Sequence, residues 1–278
     1  MASIKDAMKA SASKSRTIIE TSEETRLRLE FNKLFYLDKN IKEETKFVNT
    51  VMTRGEETQE RKGLHSSVIL DSDKKHCLRQ HVLSLHYKQR QGEQVNIDLM
   101  RIFEEGNAIH EKWQRLFIRG GFGSTDDMDT PSVDERYSLI YTPDAKIIVP
   151  GFFDDKPFIV EIKSMRSFAY TKSTGHSHGE NQANMYMYYE KCRNAVVLCE
   201  NKDTQEFRLH IRQFNKEKAR PYVNRLKEIN EADRRFIEVG KPPDRHCDCG
   251  RVISEKAEKC PMRDSCWNCG MGRVKLED

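Results

Sequence analysis

Long apolar runs are missing from this sequence. No stretch approaches the roughly 18–20 consecutive apolar residues that cross a bilayer, which excludes a membrane-spanning helix from the reading and with it a membrane partner. The first residues, Met-Ala-Ser-Ile-Lys-Asp-Ala-Met-Lys, lack the apolar core of a secretion signal, so an intracellular, cytoplasmic setting is the expectation. There is no Gly-x-x-x-x-Gly-Lys-Ser/Thr loop, so any unwinding of nucleic acid would have to come from a separate chain. No internal repeat stands out. A strong excess of one charge is missing too: 48 Lys and Arg against 44 Asp and Glu leave a formal +4 over 278 residues.

What the chain does have is charge of both signs. Charged residues make up 33% and hydrophobic residues 37%, the composition of a soluble, highly polar globular protein with length for one large domain or a core with appendages. Between 201 and 245, twelve Lys or Arg stand against eight Asp or Glu, an excess equal to that of the whole chain. Such basic residues suit a polyanion such as nucleic acid. They equally suit an ordinary solvated helix face. Of the eight cysteines, five fall between 247 and 269. Intracellular cysteines seldom form disulfides, and the clustering points to a metal or a metal cluster.

Hydrophobic spacing predicts the order of elements. Residues 1–65 are polar, with weak helical patterning around Leu27, Leu29, Phe31, Leu34 and Phe35, and read as a partly helical N-terminal extension. Residues 97–118 read as a strong amphipathic helix, with Leu99, Ile102, Phe103, Ile109, Trp113, Leu116 and Phe117 at three- and four-residue steps. A Gly-rich acidic loop follows at 120–132. Extended structure covers 133–149, broken near Pro143, and a turn at 150–157 leads to a strand at 158–163. A loop at 171–180 holds two histidines. A helix at 180–192, strands at 194–200 and 206–213, and a charged helix at about 215–238 complete the pattern. Lys-Pro-Pro-Asp at 241–244 marks the boundary to a Cys-rich tail. Helix, strands, helix, strands argues for an α/β fold with a central mixed sheet flanked by helices.

The chemistry concentrates in Tyr-Thr-Pro-Asp at 141–144 and Ile-Val-Glu-Ile-Lys at 159–163. Residues two apart on a strand share a face, so Glu161 and Lys163 project together while Val160 and Ile162 turn away. Hydrolysis of a phosphodiester needs an activated water, neutralised charge at phosphorus and a stabilised leaving oxygen, and Mg²⁺ or Mn²⁺ ions held by carboxylates supply these. Asp144 and Glu161 are the candidate ligands, and Lys163 would orient or deprotonate the water and steady the transition-state charge. Asp154 and Asp155 are set aside as the first acid because they fall in the turn just before Glu161. Taken singly, Asp144 reads as a turn residue, Glu161 and Lys163 as a surface pair, and His110 as a core histidine. Gln182 and Tyr186, four apart on a helix, share a face.

The ordered set His110, Asp144, Glu161-Ile-Lys163 and Gln182-Ala-Asn-Met-Tyr186 resembles the RecB-like branch of the PD-(D/E)xK nucleases over roughly 75–270. The resemblance implies a restriction-endonuclease-like core at 66–240 between the extension 1–65 and the tail 241–278. It also implies that His110, Asp144, Glu161 and the carbonyl of Ile162 bind Mg²⁺ or Mn²⁺, that Lys163 is catalytic, and that Gln182 and Tyr186 line the site beside DNA. The implied activity is that of a DNA nuclease, an exonuclease on single-stranded DNA or DNA ends, serving recombination, repair or replication with a possible helicase or recombination partner. A non-catalytic DNA-binding or structural module on the same fold is the alternative.

Cys77 ahead of this set and Cys260-Pro-Met-Arg-Asp-Ser-Cys266 after it are similar to the iron–sulfur subgroup, which includes CRISPR-associated single-strand exonucleases and the AddB nuclease domain. There a [4Fe–4S] cluster clips the two ends of the chain around the core. Here Ala257 stands where that subgroup has its third cysteine, so Cys249, Cys247 or Cys269 would serve instead. Four thiolates also suit structural Zn²⁺. Cys192 and Cys199 read as small buried apolar residues.

Overall fold

Phe158 to Ile162 are five consecutive buried residues, so their strand has no solvent face and belongs in the middle of a sheet. The computed structural model describes residues 21–37, 40–54, 64–70, 76–87, 97–168, 176–245, 249 and 255–268. Helix α1 (Ser22–Lys33) and helix α2 (Ile41–Arg54) precede strand β1 (Leu64–His65), the short α3 (Ser66–Ile69), α4 (Leu78–His86) and the long α5 (Ile97–Gly120). Strands β2 (Ser132–Asp134), β3 (Leu139–Tyr141), β4 (Ala145–Ile147) and β5 (Phe158–Met165) follow. Helix α6 (Ser177–Glu190), β6 (Asn194–Asn201), β7 (Phe207–Gln213), α7 (Lys216–Val239), α8 (Glu255–Glu258) and α9 (Arg263–Asn268) complete the order.

The main sheet runs β4-β5-β6-β7. Its β5–β6 pair is parallel and both outer pairs are antiparallel. A parallel pair needs a crossover, and α6 provides it. A smaller sheet, β1-β3-β2, is also mixed. The fold is therefore mixed α/β, with two mixed sheets flanked by helices.

Strand alternation divides the core. Val160, Ile162, Val196 and Leu198 pack with Phe31 of α1, Phe47 of α2 and Trp113 and Phe117 of α5 on one face. Ile159, Val197 and Cys199 pack with Val82 and Leu83 of α4, Tyr186 of α6 and Leu226 of α7 on the other. Residues 21–37, expected as part of an extension, thus contribute fully buried Leu27, Phe31 and Leu34 to the core. Glu24 ties α1 to the sheet edge: its side chain accepts from the Thr21 amide at 2.9 Å and from the Ile211 amide of β7 at 2.9 Å. One carboxylate thereby closes a helix start and covers an edge-strand donor.

One expectation changes. Among the described side chains, the apolar stripe of α5 is buried from Ile109 onward, while Met100, Ile102 and Phe103 are exposed; the Leu99 side chain lies outside those described. A 24-residue helix is about 36 Å long whereas an eight-residue strand spans about 26 Å, so α5 overhangs the sheet. The basic excess at 201–245 is partly answered within α7, where Arg220 pairs with Glu217 and Arg234 and Arg235 pair with Glu231. No described helix is long and apolar enough to cross a membrane.

Candidate active site

Register on β5 places Glu161 opposite Val197 and Lys163 opposite Cys199 of β6, both on the face toward α6. Ala145 of β4 pairs with Val160, so Asp144 enters the sheet level with the residues beyond it. There its Oδ2 accepts the Ile162 amide at 2.6 Å. The Asp144 carbonyl accepts from Gln114 Nε2 at 2.8 Å and from the Asp129 amide at 3.2 Å. His110, one turn before Gln114 on α5, sets Nδ1 3.2 Å from Asp144 Oδ1. Helix α5 therefore grips Asp144 twice, at the side chain and at the backbone. The turn residues Asp154 and Asp155 are exposed, and Asp155 is engaged with the Gly151 amide at 2.6 Å.

The two buried carboxylates diverge. Burial pushes Asp144 up, but the charges of His110 and Lys163 and the Ile162 amide outweigh it and hold the carboxyl below its usual range. Glu161 is pushed up to about 8, first by burial and then by the negative charge of Asp144, against the pull of Lys163. Its Oε1 lies 2.5 Å from Lys163 Nζ, while its Oε2 is buried with no hydrogen-bond partner. Burial works against the charged forms of Lys163 and His110, yet the adjacent carboxylates raise both above their ordinary values.

Helix α6 closes the site. A Cβ at Gly179 would come within 3.1 Å of Lys163 Cγ and Cε and 3.3 Å of Val197, so glycine lets the helix lie against the lysine stem. The same glycine donates its amide to His176 Nδ1 at 3.0 Å, which caps the helix. Tyr186 is buried, its hydroxyl 3.2 Å from Ser66 Oγ and its ring stacked near Tyr141. Gln182 Oε1 is buried without a partner. The structure thus brings His110, Asp144, Glu161, Lys163 and Tyr186 into one electrostatic neighbourhood. Gln114, Ser66, His176 and Gly179 escape sequence reasoning. A glycine in the first turn of α6 was the only available signal among them.

Among the described residues no three His, Cys, Asp or Glu side chains are grouped closely enough to hold a metal ion as they stand. Instead each carboxylate has taken the nearest cation, His110 on Asp144 and Lys163 on Glu161. The donor set still fits a hard divalent cation. Two buried carboxylates lie within electrostatic reach of each other, burial and then the Asp144 charge raise the Glu161 carboxyl, and one Glu161 oxygen is orphaned.

The cysteines fall into two groups. Cys192 and Cys199 are buried in the apolar core, and burial pushes the Cys199 thiol up to about 12. Cys77, at the start of α4, is brought beside Cys249, Cys260 and Cys266. Burial pushes the Cys260 thiol up to about 11, the Met262 amide opposes this, and Cys77, Cys266 and Cys249 add to it in that order. Arg79 donates from Nε to Cys266 Sγ at 3.1 Å and reaches the carbonyls of Cys266 and Pro243 at 2.9 and 2.6 Å. None of the six described cysteines is in a disulfide. Cys247 and Cys269 lie outside the described residues.

No protein-family profile matches the chain, and no curated protein matches it. Among solved structures it is similar to one described as "Crystal structure of SSO0001", with a TM-score of 0.40 at 12% identity over 83% of this chain and 96% of that chain.

Proposed function

We propose that the chain is a metal-dependent DNA nuclease of the RecB-like PD-(D/E)xK type with a restriction-endonuclease-like core, acting as an exonuclease on single-stranded DNA or DNA ends. The observation that carries this reading is the meeting of the His110–Asp144 and Glu161–Lys163 pairs beside an orphaned, buried carboxylate oxygen of Glu161. An ion pair on a solvated edge strand would be exposed, whereas Glu161 is 2% exposed.

Asp144, Glu161, His110 and the Ile162 carbonyl would hold the cation. Bound Mg²⁺ or Mn²⁺ supplies charge neutralisation at the phosphate and a more acidic water. Asp144, already ionised and tied to the Ile162 amide, provides a fixed carboxylate. Lys163 carries its proton and places positive charge where negative charge develops at phosphorus. Gln182 and Tyr186 line the α6 side and steady the strand. Cys77, Cys249, Cys260 and Cys266 would hold a [4Fe–4S] cluster or Zn²⁺ that joins α4 to the tail.

Anaerobically purified protein is incubated with single- and double-stranded DNA labelled at either end, with Mg²⁺, Mn²⁺ or EDTA, beside Asp144→Ala. Metal-dependent cleavage lost in the variant is expected, and the released label gives the polarity. No cleavage of any substrate by folded, metal-replete protein would overturn the nuclease in favour of a non-catalytic DNA-binding module. Visible absorbance with bound iron identifies a cluster, and colourless protein with stoichiometric zinc overturns it.

A further inference from the structure

At the ends of β5 and β6 remote from Lys163, a cleft of about 580 Å³ opens between the β4–β5 turn, the C-terminus of α6 and the residues after β7. Lys156, Lys191 and Arg193 line it, are exposed, and have no ion-pair partner among the described residues. Lys146 and Glu190, also in the lining, neutralise each other at 2.8 Å. Glu23 and Asp154 are the remaining acids, so three uncommitted cations stand over two uncommitted carboxylates. The cations exceed the acids by one, and none of the three is ion-paired to either acid.

The backbone gives a second reason to look here. Lys191 ends α6 at φ 55°, a left-handed position where glycine is the usual choice. Phe153 and Asp154, both in the lining, are left-handed as well, at φ 53° and 57°. A lysine here adopts a backbone conformation that glycine adopts more readily, and its position at the carbonyl end of α6 suits a cation. Phe214 adds an aromatic surface, 36% exposed and stacked on Tyr188 with 6.3 Å between centroids.

We propose that this cleft binds a nucleoside phosphate, as a free nucleotide or as one unit of a single strand. Lys156, Lys191 and Arg193 take the phosphate, the Phe214 ring takes the base, and Glu23 and Asp154 accept from sugar hydroxyls or base amino groups. The volume suits a ligand of that size. None of these residues belongs to the proposed active site, so the inference stands or falls separately from the nuclease reading.

The full-length protein in EDTA is titrated with ADP and with a labelled oligothymidine at several salt concentrations. The triple variant Lys156→Gln/Lys191→Gly/Arg193→Gln runs beside it, since glycine at 191 relieves the backbone while removing the charge. Binding at least about tenfold weaker in the variant, with a salt slope reduced by about 0.7 for each lost phosphate contact, is expected. Tighter ADP than oligomer binding identifies a free nucleotide, and the reverse identifies a strand. Asp144→Ala leaves ADP binding intact. No saturable binding of either probe, or equal binding by variant and parent with matching circular dichroism, overturns the proposal.

Discussion

The Oδ2 atom of Asp144 accepts the amide hydrogen of Ile162 at 2.6 Å, eighteen residues along the chain. The bond fixes the carboxylate to the central strand just where the β4–β5 pairing has run out. Gln114 holds the same residue by its carbonyl and His110 by its other carboxylate oxygen. Asp144 is therefore oriented and ionised beforehand, while its neighbour Glu161 keeps one oxygen without a partner. That asymmetry leads to the first expectation.

Glu161→Gln should change how stability depends on pH in metal-free protein. In the unfolded chain this carboxyl titrates near 4.5, and in the folded chain it is raised to about 8. Between those values the folded state holds a proton that the unfolded state has released, so Glu161 erodes stability as pH rises through the window. The Tm of Glu161→Gln should match the parent near pH 4.5 and exceed it progressively toward pH 8. Added Mg²⁺ should raise the parent's Tm at the upper end and leave the variant's unchanged. Parallel Tm curves across the range would refute the assignment.

Gly179→Ala tests how closely α6 must approach Lys163. The new methyl meets Lys163 Cγ and Cε at 3.1 Å, and the lysine stem has to give way because Val197 at 3.3 Å belongs to the sheet. On the proposed nuclease reading, a displacement of this order should lower kcat by about 10- to 100-fold with little change in DNA affinity. The Tm should shift by only a few degrees, since alanine favours the helix by about 1 kcal/mol over glycine. Unchanged kcat would show that the lysine position is uncritical.

Arg79→Ala should loosen the C-terminal segment. Arg79 is 9% exposed, and its guanidinium donates to the Cys266 sulfur and to the carbonyls of Cys266 and Pro243. Losing these donors should cost about 2–3 kcal/mol in urea unfolding. It should also speed alkylation of Cys266 in reduced, metal-free protein. Arg79→Lys should restore only part of the effect, because an ammonium cannot present the same planar fork. Alkylation at the parental rate would separate Arg79 from any role in holding the cysteines.

Phe31→Ala should destabilise the fold by about 3–5 kcal/mol. Phe31 is fully buried, with its ring 5.1 Å from that of Phe117 and 6.0 Å from that of Trp113. Denaturant unfolding measures the loss. A change below about 1 kcal/mol would mean that α1 is a dispensable appendage.

Much of the architecture was legible before folding. The strand at β5, the Glu161/Lys163 pairing on one face and the order of α6, β6, β7 and α7 follow from side-chain period, which neighbouring residues set among themselves, whereas the burial of β5 and the start of α6 at Ser177 do not. The turn that holds Asp154 and Asp155 is legible from local residue chemistry, and both are exposed there. Helix α4 is not legible in the sequence, because its nine residues carry a short pattern between polar segments. The N-terminal segment read as peripheral because its apolar spacing is weak, yet it fills the core beside Trp113.

Local periodicity determined which side chains share a strand or helix face. Only the tertiary structure decided that Asp144 meets the Ile162 amide, that α5 overhangs the sheet, that Gly179 lies on Lys163, and that Arg79 reaches Cys266 across 187 positions. The physical reason is that such contacts depend on how whole elements pack. The sequence near either partner carries no record of the other until burial of the two core faces brings them together.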